Sequence, residues 1–235
     1  MTGKLFHYNT LGTLMKGGFD GTFPFSEVLK NGGIGIGTVD HLDGELVILD
    51  HHGYRFDVKG QMHEVQPEET TPYAAAIDFN PENKTTFNEK ISKDTLEEKL
   101  ANQFSSKNVF QAVKLHGTFQ KIRCRSVQKQ EKPYPDLVDV ARDQAEFTAE
   151  NVTGTLVGIY TPELFGTISA TGFHLHFISD NHRFGGHVLA FEIDKPTIEW
   201  QTVDTLEQKF PTDDTTFMQT DFDYSSVLAD ITEAE

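Results

Sequence analysis

The sequence predicts an α+β fold, a strand-rich mixed α/β molecule with extensive β-sheets and a few short helices. Three observations predict it. Apolar–polar alternations bounded by glycine, proline and asparagine outnumber the segments with helical spacing. Those helical segments do not alternate regularly with the strands, which disfavours a doubly wound parallel sheet. No fixed-period repeat, low-complexity tract or long linker divides the 235 residues, so residues 1–235 read as one domain whose two sheet-containing halves, roughly 1–130 and 131–235, pack closely.

In chain order, Pro24 to Lys30 reads as a short helix stopped by Asn31-Gly32-Gly33. Ile34 to Asp40 and Glu45 to Asp50 flank Leu42-Asp43-Gly44, and Asp-Gly between apolar runs is a hairpin signal. Tyr54 to Val58 and Met62 to Val65 continue the meander, and Pro67 to Thr71 is a polar loop. Asp94 to Phe104 is the clearest helix: Asp94 can cap it, Glu97 completes a capping-box-like pair, and Leu96, Leu100 and Phe104 recur at helical spacing. Val109 to Leu115 and Phe119 to Val127 form an expected hairpin about His116-Gly117, and Asp136 to Gln144 a second short helix after Pro133 and Pro135. Strands follow at Val152 to Tyr160, Gly166 to Ile178, His187 to Ile193 and Thr197 to Val203, and Ser225 to Ile231 closes the chain as a short helix.

Chemistry concentrates between Thr171 and Val188, TGFHLHFISDNHRFGGHV. Histidines at i and i+2 on a strand share a face, which puts His174 and His176 together. His187 can reach that face after the polar turn Ser179 to Arg183 and the pair Gly185-Gly186, whose missing side chains permit a tight return. Three neutral imidazoles with an open position suit catalytic zinc, whereas structural zinc sites are closed by four ligands, usually with thiolates. The competing reading is a half-buried strand with incidental polar residues; metal binding is preferred. His182 reads as a solvated loop residue.

Composition limits the partners. Lys plus Arg is 20 against Asp plus Glu at 36, a formal net charge of -16 that repels phosphate backbones and anionic lipid, so neither nucleic acid nor membrane is expected. The single cysteine, Cys124, excludes an intrachain disulfide framework and fits a reducing compartment. No apolar run approaches the roughly 18 residues of a membrane span, and the amino terminus lacks the apolar core of a signal peptide. A cytoplasmic location is expected.

Four further segments combine with the histidines. They are Gly35-Ile36-Gly37-Thr38, Leu42-Asp43-Gly44-Glu45-Leu46, Arg123-Cys124-Arg125-Ser126-Val127 with the later Glu131-Lys132-Pro133-Tyr134, and Thr232-Glu233. With GFHLHFIS and GGHV, in this order, they resemble the α-acetolactate decarboxylase family over nearly the whole chain. The resemblance implies a mixed α/β fold, often dimeric, and a zinc-dependent enzyme converting 2-acetolactate to acetoin and carbon dioxide on the route to butanediol. It puts the metal ligands on His174, His176 and His187, active-site carboxylates on Glu45 and Glu233, the arginine on Arg125 and a substrate-contacting threonine on Thr38.

The chemistry is coherent with that set. A β-keto acid loses carbon dioxide readily when its carbonyl can accept the electron pair, and the ketone and neighbouring hydroxyl of 2-acetolactate form a bidentate chelate. Zinc then acts as a Lewis acid and electron sink for an enediolate. Arg125 offers a planar fork for the carboxylate. Arg123 shares its face if the strand is regular, and Arg125 is chosen by motif position. Without the resemblance, Glu45 reads as a solvated strand residue and Glu233 as part of an acidic tail. A cupin-like isomerase or dioxygenase also uses a His-x-His strand with a later histidine, but it adds a glutamate soon after the pair, and Phe177 to Asn181 contains only Asp180. A non-catalytic metal or small-ligand binding protein is the remaining alternative.

Overall fold

Long alternating runs give this chain its shape. The computed structural model describes residues 3–234, and among them fifteen strands and six helices. The strands are β1 (Gly3–Tyr8), β2 (Phe23–Pro24), β3 (Ile34–Thr38), β4 (Glu45–Leu49), β5 (His52–Phe56), β6 (Met62–Glu64), β7 (Thr70–Thr71), β8 (Ala74–Ile77), β9 (Asn83–Thr86), β10 (Lys90–Ser92), β11 (Gln111–Ser126), β12 (Ala145–Thr161), β13 (Gly172–Ser179), β14 (Gly185–Asp194) and β15 (Thr197–Lys209). The helices are α1 (Leu11–Met15), α2 (Phe25–Val28), α3 (Lys93–Ala101), α4 (Leu137–Arg142), α5 (Thr215–Gln219) and α6 (Val227–Ala234). The strand-rich α+β architecture is the one the sequence predicts.

Thirteen of the described strands join one sheet, in the order β10-β14-β13-β12-β11-β15-β1-β8-β3-β4-β5-β6 with β9 on β15; β2 and β7 form a separate pair. β11 organises it. Along one edge it pairs with β12 from Gln111 to Ser126. Its other edge is shared, Gln111 to Leu115 with β15 and Phe119 to Arg125 with β14. Because β12 pairs with β13 and β13 with β14, the four strands β11 to β14 close a ring.

That ring corrects one expectation. No hairpin turns at His116-Gly117; β11 runs straight through, with Gly117 opposite Gly154. Alternation explains it, since Leu115 and Phe119 are buried while His116, Thr118 and Gln120 are exposed, a period of two that continues across the glycine. The Leu42-Asp43-Gly44 connection is likewise not a tight hairpin. A 3-10 turn at Asp40–Leu42 joins β3 to β4, with φ at +62 for His41, +56 for Leu42 and +91 for Gly44. Left-handed backbone costs a non-glycine residue about 1–2 kcal/mol, so this turn must be held by its surroundings. α3 is capped by Ser92, whose hydroxyl accepts from Thr95 N–H, rather than by Asp94, and Glu97 pairs with Lys93 instead of closing a capping box.

Two apolar layers matter for the site. Inside the ring, Leu175 and Phe177 of β13 pack with Phe119, Val188 and Phe191, and α3 covers them with Leu96 and Leu100. Outside, Leu11, Leu14 and Met15 of α1 meet Leu137 and Val140 of α4 and Val227, Ile231 and Ala234 of α6. The three α6 residues recur at i, i+4 and i+7, one stripe of the helix. Burying Val227 and Ile231 is worth about 1.5–3 kcal/mol each, which holds α6 against α1 and α4.

Candidate metal centre

The alternation of β13 that buries Leu175 and Phe177 turns His174 and His176 to the opposite face. β14 then sets His187 directly across from His176. Two glycines allow this approach. A Cβ on Gly186, whose φ is +129, would lie 2.5 Å from the Arg125 carbonyl oxygen, and one on Gly185 would lie 2.4 Å from the Phe177 carbonyl and the Phe56 ring. All three histidines are buried. His174 Nε2 lies 3.2 Å from His176 Nε2 and 3.2 Å from His187 Nδ1, so three ring nitrogens converge on one point. These atoms could hold a metal ion.

The protonation state suits that use. His176 Nδ1–H donates to the Leu46 carbonyl at 2.7 Å, which leaves Nε2 with its lone pair toward the cluster. Burial, reinforced by Arg125, lowers the His174 pKa to about 3. Burial also holds His176 and His187 well below the usual histidine range, with positive neighbours adding to the effect. Neutral imidazole is the ligand form.

β4 supplies two groups to the same place. While Leu46 fixes the His176 tautomer, the adjacent Glu45 brings Oε2 to 3.6 Å from His176 Nε2. Glu45 is thus a buried site carboxylate and not a solvated strand residue. Arg125 pairs with His187 across β11 and β14 and is 6% exposed. Its Nη1 donates to Gln144 Oε1 at 2.9 Å and to the Ala234 carbonyl at 2.6 Å. Arg123 and Arg125 fall on one face of β11, which stays in register with β12 through both, as expected of a regular strand, but they differ in burial. Arg123 is exposed beside Glu146, and only Arg125 enters.

A narrow cavity of about 30 Å³ meets these groups, roughly the share of one water molecule. Thr38, Glu45, Arg125 and His174 form its polar side, and Leu11, Leu14, Val127 and Leu137 its apolar side, with Gly37 and Tyr73 completing it. Thr38 Oγ1 donates to the Gly44 carbonyl at 2.7 Å. The structure therefore brings together six of the seven predicted residues: His174, His176, His187, Glu45, Arg125 and Thr38. Glu233 stands apart, exposed on α6, where its Oε1 accepts from Arg142 Nη2 at 2.7 Å and Nε at 3.0 Å.

Sequence reasoning missed Gln144, the Leu46 carbonyl, Tyr73 and the α1 leucines. A backbone carbonyl carries no residue signal, and Gln144 follows a helix with no motif around it.

The α-acetolactate decarboxylase family model matches residues 5–224. The chain belongs to the α-acetolactate decarboxylase family. It is 41% identical over 234 residues to the α-acetolactate decarboxylase of Lactococcus lactis subsp. cremoris, covering 99% of this chain and 98% of the relative. It is 39% identical to that of Streptococcus thermophilus, again at 99% and 98%. Among solved structures, the α-acetolactate decarboxylase of Bacillus subtilis superposes with a TM-score of 0.95 at 31% identity, covering 99% of each chain. A Staphylococcus aureus protein described as similar to α-acetolactate decarboxylase superposes at 0.96 with 38% identity, covering 99% of this chain and 100% of that one. Membership in this family makes the chain a carboxy-lyase.

Proposed function

We propose that this decarboxylase is zinc-dependent and converts 2-acetolactate to acetoin and carbon dioxide. The convergence of three buried, neutral imidazoles one strand away from Arg125 is the observation that carries the reading. The donor set fits the metal: three nitrogens, no thiolate, and a carboxylate at hand. A zinc ion held by His174, His176 and His187 would supply the Lewis acidity that lets a ketone accept the electron pair released by the departing carboxylate.

The chain's own residues do the rest. Arg125 binds the substrate carboxylate with its planar fork and orients the bond that breaks. Thr38 contacts the substrate beside it. An arginine surrenders protons poorly because its pKa exceeds about 12, so Glu45 is the group that holds and returns the proton required by the carbon that loses carbon dioxide. Leu11, Leu14, Val127 and Leu137 exclude water from that carbon. Glu233 is proposed to alternate between Arg142 and the cavity, since the neighbouring Ala234 carbonyl already reaches Arg125. Glu233→Gln should lower kcat at least tenfold while Arg142→Ala leaves it unchanged; full activity in Glu233→Gln removes this carboxylate from the mechanism.

The deciding experiment incubates purified protein with racemic 2-acetolactate and measures acetoin against a chelator-treated control. Bound metal without turnover supports a binding protein, and a strict need for oxygen supports a dioxygenase. The proposed setting is a cytoplasmic homodimer. No helix among the described residues is long and apolar enough to cross a membrane.

A further inference from the structure

The Glu-Lys-Pro-Tyr segment between β11 and α4 does not line the narrow cavity, yet it is tied to the turn between Thr38 and Glu45, which do line it. Lys132 Nζ lies 2.7 Å from Asp20 Oδ2, and the Tyr134 hydroxyl lies 2.8 Å from Asp20 Oδ1 and 2.5 Å from His41 Nδ1. Burial would raise the Asp20 pKa, but the hydrogen bonds from Lys132 and Tyr134 outweigh it and hold this carboxyl below its usual range. Asp20 is therefore an acceptor only. Tyr134 donates to it and accepts from His41 Nδ1–H. Asp20, Asp40 and His41 are grouped closely enough for a cation. Because an ammonium and a hydroxyl already take both Asp20 oxygens, the group is a hydrogen-bonded brace.

What it braces is the left-handed turn between β3 and β4. His41 N–H donates to the Phe19 carbonyl at 2.8 Å, and Gln130 N–H donates to the His41 carbonyl at 2.8 Å. Gly44 follows, fixed by Thr38, and then Glu45 beside His176. Left-handed residues keep their shape only where neighbours over-determine it. We infer that Tyr134 is a positioning residue: its hydroxyl, through His41, sets the 40–44 turn and so holds the Glu45 carboxylate against the histidine cluster. The inference rests on Glu45 being the working carboxylate of the decarboxylase.

Tyr134→Phe keeps the ring against Phe19, 5.2 Å away, and removes only the hydroxyl. A small displacement of a reacting group costs chemistry more than binding, so kcat should fall about tenfold with KM within about twofold, and the melting temperature should stay within about 3 °C. His41→Asn, which tolerates the left-handed backbone, should match it, and the double variant should be no worse than about twofold below either single. In a Glu45→Asp background, where the carboxylate is already withdrawn, Tyr134→Phe should cost less than about twofold. Wild-type turnover of 2-acetolactate tests the underlying reading separately. The inference is overturned if Tyr134→Phe has normal kcat, if its loss lies in KM, or if the His41 and Tyr134 losses multiply.

Discussion

Replacing Arg125 by lysine keeps the charge and removes the fork. The guanidinium is 6% exposed, and its Nη1 already donates to Gln144 and to the Ala234 carbonyl, so the side chain is oriented before substrate arrives. Lysine can replace one of two parallel bonds to a carboxylate. The loss is then one hydrogen bond to a charged group, about 1.5–3 kcal/mol, which corresponds to roughly a ten- to 150-fold drop in kcat/KM. Metal content should not change, because the imidazoles come from β13 and β14. Arg123→Lys is the control: its side chain is 49% exposed and 3.4 Å from Glu146, a surface pair worth at most about 1 kcal/mol, so activity should stay within about threefold. The assay is the initial rate of acetoin formation by zinc-loaded protein, with metal measured by atomic absorption. A normal Arg125→Lys beside a crippled Arg123→Lys would refute the assignment of the carboxylate anchor.

Alanine at His174, His176 or His187 should abolish metal retention and activity together; stoichiometric metal with full activity in any one of them removes that histidine from the ligand set. After chelation, cobalt, iron or zinc should each restore some acetoin formation under anaerobic conditions, since Lewis acidity carries the reaction. Gly186→Ala forces a Cβ toward the Arg125 carbonyl at 2.5 Å and should lower stability by about 2 kcal/mol or more in denaturant melts; an unchanged midpoint contradicts the β11–β14 geometry. Acid stability offers another test through His7, which burial lowers from 6.5 to about 4. Its folded pKa lies below its unfolded one, so the unfolded chain binds the extra proton and stability falls as pH drops from about 6.5 to 4, by about 1.4 kcal/mol per unit from this residue. His7→Gln should flatten the slope by that amount, and an unaltered slope in denaturant melts across this window contradicts the assignment.

The histidine cluster was legible because a period of two and a glycine pair are local signals. The strand-rich class was legible for the same reason, in the alternation of β12 and the short apolar run of β4 bounded by turn residues. What escaped depended on partners distant in sequence. The His116-Gly117 pair imitates a turn, and only the pairing of Gly117 with Gly154 reveals one long strand. Arg123 and Arg125 look alike in the sequence, and only the bonds of Arg125 to Gln144 and the Ala234 carbonyl distinguish the buried arginine from the exposed one. β8 reads Ala-Ala-Ala-Ile, poor in β-branched and aromatic residues, yet it lies between β1 and β3 where small side chains fit. Glu233 was assigned from the family resemblance alone, and its bond to Arg142 lies outside anything spacing can express.

The shared edge of β11 has a practical consequence. All three imidazoles come from the β13–β14 hairpin, whereas Arg125 joins them only when β14 also docks on β11. A preparation in which that second docking is lost keeps all three proposed ligands on one hairpin, His174 and His187 thirteen residues apart, and is expected to bind metal as the intact protein does. Metal stoichiometry is therefore a poor certificate of a competent enzyme, and the quality of a batch is better judged by a probe that needs β11 in place, such as protection of Cys124, buried on that strand, from thiol reagents.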